Sequence, residues 1–569
     1  MGFKALLTYA RPYAASLVFV AFLSMACAAA LIVLPWFAGR LLGDLLQSEQ
    51  INALSMALYL GGVLCALAIL QAMSAIASGI VGSRIEADFK GDIFAHVQRL
   101  PMEYFDRKRQ GDLLALLTWE VSRLGAFIGE TLTSAPAALL TAAGAAVALY
   151  MIDPSLSLLA MVLFPTSYMA HRLIGRQISG LSTKIQIAEA AVFAAAESNL
   201  NMLPAFKAFA REENGLQGYR QVIEKLRRLK VRRQKILSTM APALWLIAAL
   251  GAVLLMLLAH QRLGGARADP ATFFSFVLYV GLLVYAILSF ANFLTQFNTA
   301  RGTLGRLQHV LGKEAEAGYA RPAIESQGGG WITFSNVWFG YPDRKNTLRG
   351  VNFDIEAGET VVLMGENGSG KTTILSLLLA LYEPRKGSIK IDGCDIAQMS
   401  LQQVRGQVGY VPQRPLLQSG SIRENLLMGR ANLPQDEVER ACRLAQAHHF
   451  IIQLPEGYRT QIGDHGKSLS YSQRQRIALA RALLADPAIL VLDEATSHFD
   501  LEDEAAFIEA RRSGKVNCTT IVVTHRPAML ALADRVLTLK DGKITQTGRR
   551  GVMWEMPPVG EAVTIDQPG

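Results

Sequence analysis

Ala14 to Trp36, Leu54 to Val81, Ser134 to Ile152, Leu156 to Met169, Met240 to Ala259 and Phe273 to Leu294 are the six apolar runs that most restrict how this chain can fold. A bilayer core offers no partner to a backbone N–H or C=O, so a spanning segment must satisfy itself, as a helix does and a lone strand does not. About 20 apolar residues cross the hydrocarbon layer. The fourth run is short and reads as a helix continued by polar residues. A signal peptide is not expected, because a second long apolar run follows the first without a convincing small-residue cleavage pattern. Charged residues make up 18% of the chain, below the roughly 25% of soluble domains, as expected when a large part lies in lipid.

Basic residues orient these runs. Between the second and third lie Arg84, Lys90, Arg99, Arg107, Lys108, Arg109 and Arg123. Between the fourth and fifth lie Arg172, Arg176, Lys184, Lys207, Arg211 and a dense stretch from Lys225 to Lys235. The connections after the first and third carry almost none, although Arg262 and Arg267 follow the fifth. Both long connections, the N-terminus and the C-terminal part therefore belong on the cytoplasmic side. This placement accounts for most of the net charge of +9, so nucleic acid is not an expected partner. The stretch from Lys225 to Lys235 solvates a helix and meets anionic headgroups of membrane lipid. Both connections are too long and too helix-patterned for loops. They predict spans extended into the cytoplasm as paired helices.

The C-terminal part carries chemistry. Gly365-Glu366-Asn367-Gly368-Ser369-Gly370-Lys371-Thr372 fits the phosphate-cradling loop pattern, between an apolar β-type run (Val361 to Met364) and a helical pattern opening at Thr373. Glycines let successive N–H groups turn toward phosphate oxygens, and the helix adds its positive end. Lys371 is placed to reach the β- and γ-phosphates of ATP, and the Thr372 hydroxyl to bind Mg²⁺. Further on, Ile489-Leu490-Val491-Leu492-Asp493-Glu494 is an apolar strand ending in two carboxylates. Buried in a parallel sheet, it delivers them at the edge where ligands bind. Asp493 is the natural partner of Mg²⁺, and Glu494 the group to polarise a water. The competing reading, a strand end capping the next helix, leaves the upstream loop unexplained.

At these residues the chain resembles the ATP-binding-cassette transporters of the exporter type, over nearly its whole length. The resemblance implies a membrane α-helical bundle (six spans with long cytoplasmic extensions) fused to an α/β P-loop ATPase domain. Tyr341 sits where the family stacks an aromatic on adenine. Gln413, in Tyr410-Val411-Pro412-Gln413, matches the glutamine that senses Mg²⁺ and the attacking water. Thr460-Gln461-Ile462-Gly463-Asp464-His465-Gly466 looks like the exporter loop that touches the partner's membrane domain. Leu469-Ser470-Tyr471-Ser472-Gln473 holds the signature position, and His525 matches the switch histidine. Catalytic roles are implied for Glu494, His525 and Gln413, and metal binding for Thr372, Gln413 and Asp493. Expected boundaries are a transmembrane domain over 1–310, a linker over 311–330, the nucleotide-binding domain over 331–550 and a poorly ordered tail over 551–569. Short coupling helices are expected near Gly111 to Leu117 and near Asn201 to Phe209.

The departures from the family are informative. The usual signature has two glycines after the serine; here they are Tyr471 and Ser472, while Ser470 and Gln473 remain. Ser497-His498-Phe499-Asp500 keeps its outer residues and changes its inner ones. Both segments face the ATP of the other subunit, whereas the residues facing this chain's own ATP are intact. The resemblance implies a dimer of half-transporters, since one composite site needs two chains. A homodimer is read ahead of a heterodimer, which stays open. Also open are a lipid flippase or siderophore importer on the same scaffold and an ATP-binding regulatory subunit. No charge sits near the centre of a span, so a strong ionic midplane site is not indicated. Thr166, Tyr168, Trp245, Tyr279, Tyr285, Asn292 and Gln296 are candidates to line a cavity for a drug, lipid or small peptide, though each is more simply an anchor or a packing residue. The five cysteines show no metal-ligand spacing.

Overall fold

The computed structural model describes residues 11–549, apart from 48–52, 108–109, 264–269, 325–327, 431–432, 464–465, 467, 496–500, 525–529 and 531. The expectations for Arg267, Asp464, His465, the segment Ser497 to Asp500, His525 and the tail over 551–569 lie outside the described residues, as do the side chains of Thr166, Tyr168 and Trp245. The chain divides into two compact units, one of them Met1–Leu100 with Tyr104–Glu314, the other Pro101–Glu103 with Ala315–Gly569.

The first unit is helical. Ala14–Gln47, Ala53–Gln98, Leu132–Ile152, Pro154–Asn201, Glu212–Leu263 and Pro270–Leu311 carry the six apolar runs. The 52 residues of Glu212–Leu263 span about 78 Å at 1.5 Å per residue, far more than the roughly 30 Å of hydrocarbon. The excess is the polar extension expected of the long connections. By length and composition, four helical segments among the described residues qualify as spans: Arg11–Leu42, Leu58–Gln98, Leu116–Ile152 and Ala271–Leu311. The fourth and fifth runs lie inside Pro154–Asn201 and Glu212–Leu263.

The third long helix starts earlier than its apolar run. Gln110–Ala115, a π-helical stretch Leu116–Glu120, Val121–Ala126 and a second π stretch Phe127–Thr131 lead into Leu132–Ile152. This corrects the position of the first short helix: it is Met102–Arg107, whereas Gly111 to Leu117 already belongs to the ascending helix. The cause is Pro101, which disfavours helical geometry at Leu100, so the preceding helix ends at Gln98. The second short helix, Leu203–Ala208, falls within Asn201 to Phe209.

Packing follows the sequence spacing. Val81, Ile85, Phe89, Ile93 and Val97, four residues apart on one helix face, are buried against Val121, Leu124, Phe127 and Ile128 and against Ala300, Leu304 and Leu307. At this crossing a methyl group on Gly129 would stand 2.5 Å from the Gly82 Cα, and one on Gly125 2.8 Å from the Glu86 Cβ. The main chains touch, as small residues permit where lipid supplies no hydrophobic drive. Arg306 Nε donates to both oxygens of Glu120 at 2.7 and 2.9 Å, joining the last long helix to the first π stretch.

The second unit contains strands β1 (Ile332–Tyr341), β2 (Arg344–Ile355), β3 (Thr360–Met364), β4 (Lys386–Ile391), β5 (Cys394–Asp395), β6 (Val408–Val411), β7 (Gly420–Ser421), β8 (Gln461–Ile462), β9 (Ile489–Asp493), β10 (Thr519–Val523), β11 (Arg535–Lys540) and β12 (Lys543–Arg549). One antiparallel sheet runs β2-β1-β4-β5, and a larger sheet runs β12-β11-β3-β10-β9-β6. From β11 to β6 its neighbours are parallel. β9 and β10 are buried throughout and β3 in all but its last residue, the consequence of apolar runs covered on both faces. Alternation divides them between two cores. Val361, Leu363, Ile489 and Val491 pack beneath the Lys371–Leu378 helix, while Val362, Leu490 and Leu492 pack beneath Tyr471–Leu483.

Candidate functional site

Parallel strands bring their carboxyl ends to one edge, and that edge collects the chemistry. β3 ends in the loop Gly365 to Gly370, β9 ends at Asp493 and Glu494, β6 leads into Gln413, and β10 runs to Thr524, next to the undescribed His525. In the sheet, β10 lies between β3 and β9.

The loop conformation requires its glycines. Gly370 holds φ 112° and caps the Lys371–Leu378 helix, and a methyl group there would meet Leu348 Cδ2 at 2.7 Å. Gly365 has no room either, its added Cβ falling 2.2 Å from the Leu539 carbonyl oxygen. Glu366, Asn367 and Gly368 are exposed at the tip, and Thr372 is exposed at the helix start. The Ser369 hydroxyl is buried without a hydrogen-bond partner. Lys371 folds back, its ammonium donating to the carbonyls of Gly365 at 2.7 Å and Glu366 at 2.9 Å. Burial pulls its pKa down, with Glu494 and Asp493 acting against that shift. A buried ammonium on two carbonyls beside an unsatisfied hydroxyl and an exposed loop tip makes a cradle that a triphosphate fits.

Across the edge, Asp493 is buried, which pushes its pKa up. Tyr410, on β6, donates its hydroxyl to Asp493 Oδ2 at 3.4 Å, and burial raises that phenol's pKa. Glu494 takes a left-handed φ of 52°, with its N–H on the Val523 carbonyl at 2.9 Å. This aims it out of the strand direction. Its Oε2 accepts from Gln413 Nε2 at 2.5 Å, and its carbonyl from the buried Gln475 amide at 3.3 Å. Tyr341 ends β1, with its hydroxyl 3.4 Å from Thr373 Oγ1 and its ring edge-to-face with Phe339 and Tyr382.

Thus Gln413 and Glu494 meet, Tyr341 and Thr373 meet, and Lys371 feels both strand-end carboxylates. Of the signature residues, Ser470 and Gln473 cap their own helix, Gln473 N donating to Ser470 Oγ at 3.1 Å and Ser470 N to Gln473 Oε1 at 2.8 Å. The Ser472 hydroxyl is buried without a partner. Sequence reasoning passed over Tyr410 and Gln475. The only signal for Tyr410 is its place one position before the end of β6, just ahead of Gln413. Of the cavity candidates, Tyr279 is a packing residue, buried with its hydroxyl on the Ile32 carbonyl at 2.9 Å. Tyr285, Asn292 and Gln296 are exposed.

The membrane unit holds a cavity of about 640 Å³, lined by Arg123, Ser182, Gln186, Lys230, Arg233 and Gln234. Lys230 is paired with Glu189 at 2.8 Å. Glu189 lines the same cavity as Arg123 and Arg233.

The comparisons agree with this architecture. The family pattern described as ABC transporter matches residues 348–497, and that described as ABC transporter transmembrane region matches 17–287. An ATP-dependent lipid A-core flippase of Syntrophus aciditrophicus is 30% identical over 482 residues, covering 83% of this chain and 79% of that protein. A multidrug efflux ATP-binding/permease protein of Mycobacterium bovis is 31% identical over 482 residues, 84% of this chain but 40% of that longer one. A solved bacterial Atm1-family ABC exporter with ATP bound has the same fold, with a TM-score of 0.85 over 95% of each chain at 24% identity. The chain is an integral membrane protein that binds nucleotide and couples ATP hydrolysis to transport, and it belongs to the ABC transporter family, with an exporter-type transmembrane domain fused to its ATPase domain.

Proposed function

We propose that two such chains, taken as a homodimer, export an amphipathic molecule (a lipid or a hydrophobic drug) across a bacterial inner membrane by alternating access. The observation that carries this reading is the single sheet edge on which the phosphate loop, Gln413, Asp493 and Glu494 hang, in one polypeptide with the long helices. Gly365 to Thr372 would hold the phosphates and Tyr341 the adenine. Thr372, Gln413 and Asp493 offer the hard oxygen donors that suit Mg²⁺, which when bound neutralises phosphate charge. Glu494, with His525, orients the attacking water and takes its proton. Ser470, Ser472 and Gln473, at the signature position, would face a partner's ATP. Loss of the γ-phosphate removes the charge both faces hold and lets the dimer reopen. Met102–Arg107 and Leu203–Ala208 are the segments we assign to transmitting that motion.

The relatives named for a lipid A-core flippase and for multidrug efflux support a lipid or a drug as the cargo. The cavity bearing Arg123 and Arg233 suits an acidic headgroup on such a molecule. The test is the chain alone in nanodiscs: its mass, its ATPase activity and the change on adding an acidic lipid amphipath. Expected are a dimer of one chain and stimulated turnover that Arg123→Ala and Arg233→Ala abolish. A second half-transporter co-purifying at equal amounts would replace the homodimer, and stimulation indifferent to both arginines would exclude the cavity.

A further inference from the structure

We propose that Tyr471 is a positioning residue that latches Gln413 onto Glu494 within the same chain, so that the signature helix holds its own catalytic carboxylate closed until nucleotide arrives. The family has glycine at this position, and glycine has no side chain with which to make the contact. Tyr471 opens the Tyr471–Leu483 helix, with Ser470 as its cap. Its phenol donates to the main-chain carbonyl oxygen of Gln413. The Gln413 side chain donates in turn to Glu494 Oε2 at 2.5 Å. One turn along the same helix, Gln475 is fully buried and donates to the Glu494 carbonyl oxygen at 3.3 Å. One helix therefore grips Glu494 twice, at its carboxylate through Gln413 and at its main chain through Gln475. The ring of Tyr471 is steadied by Arg474, whose guanidinium lies 5.6 Å from the ring centroid and is itself anchored on the Leu469 carbonyl at 2.6 Å.

The consequence concerns when the carboxylate becomes available. An oxygen that accepts an amide proton is turned from the water it must activate, so Gln413 has to shift before turnover. Tyr471 holds the main chain that has to shift. A fraction of molecules is thereby withheld from the competent state, and apparent ATP affinity falls by that fraction. The last step of the inference rests on the dimer reading. A partner's ATP pressing on the start of this helix would displace Tyr471, release Gln413 and free Glu494, so that ATP at one site primes the other.

The full chain in nanodiscs tests the latch, using Tyr471→Phe, which keeps the ring and removes the oxygen, and Tyr471→Gly, which restores the family residue. Amide hydrogen exchange without nucleotide should run about three- to tenfold faster around Gln413 in both variants, the factor one net hydrogen bond is worth. Equilibrium binding of a slowly hydrolysed ATP analogue should tighten by a similar factor. A merely structural loss would weaken binding instead. Unchanged exchange in both variants overturns the latch, and so does unchanged or weaker binding. If the parent binds no nucleotide, the ATPase reading fails and exchange alone decides the latch. If the parent binds and the variants match it, the latch fails and the ATPase reading stands.

Discussion

Replacing Glu494 with Gln isolates one function of the site. Among the contacts that hold Glu494 are its N–H on the Val523 carbonyl at 2.9 Å, its carbonyl under Gln475 at 3.3 Å, and its Oε2 under the Gln413 amide at 2.5 Å. Gln keeps the first two, which are main-chain, and presents its own amide oxygen for the third. Shape and hydrogen bonding survive, and only the capacity to take a proton from water is lost. A positioned general base contributes about a hundred- to ten-thousandfold, or roughly 2.7 to 5.4 kcal/mol of barrier. ATP affinity should stay within about threefold, the low end of what one altered hydrogen bond is worth. Phosphate release and nucleotide binding are to be measured side by side on parent and Glu494→Gln in nanodiscs. Turnover of the variant within threefold of the parent would refute the assignment of the base. Parallel loss of binding would show instead that the carboxylate helps build the pocket.

The remaining predictions concern the loop, the carboxylate and the helix crossing. Gly370→Ala forces a methyl into φ 112° and against Leu348 Cδ2 at 2.7 Å, and should cost about 1–3 kcal/mol and most nucleotide binding, read by denaturant unfolding and analogue titration. Burial raises the Asp493 pKa in the folded chain above its unfolded value, so its contribution to stability is full below the unfolded value and is lost as pH rises through the folded one. Unfolding midpoints of the nucleotide-free protein should therefore fall with pH across that window, and Asp493→Asn should flatten the slope while abolishing turnover. Gly129→Ala places a methyl 2.5 Å from the Gly82 Cα and should destabilise the membrane unit by about 1–3 kcal/mol, whereas Gly91→Ala, with nothing within 4 Å, should leave the unfolding midpoint unchanged or slightly raised.

How far the sequence foretold this protein depended on whether the relevant physics was local. The buried strands β3 and β9 were legible because a strand covered on both faces reads as an apolar run, as Val361 to Met364 and Ile489 to Leu492 do. The phosphate loop was legible because its glycines and Lys371 act within a few residues of one another. The first short helix lies at Met102–Arg107, several residues before Gly111 to Leu117, because Pro101 breaks the preceding helix. The extension of the third long helix beyond its apolar run was expected from the length and helical pattern of the connection, whereas its π stretches leave no hydropathy mark. Tyr410 on Asp493 and Tyr471 on Gln413 join residues 83 and 58 apart. No local pattern encodes such a meeting; the order of strands in the sheet creates it. Tyr471 could be seen as a departure from its family, but only the fold supplies what its side chain touches.

The contact at Gly82, Gly125 and Gly129 also limits the ways the protein can move. Two helices whose main chains touch have no layer of side chains between them to shear, so they neither slide nor roll against each other without first coming apart. Pro154–Asn201 and Glu212–Leu263, packed along one another and tied by Lys230 and Glu189, form a second pair, joined through side chains. A transport cycle built on these parts has few joints. Its motion must be spent between welded pairs rather than within them, like a linkage of rigid bars, and the hinges to look for are the short connections at both ends of those bars.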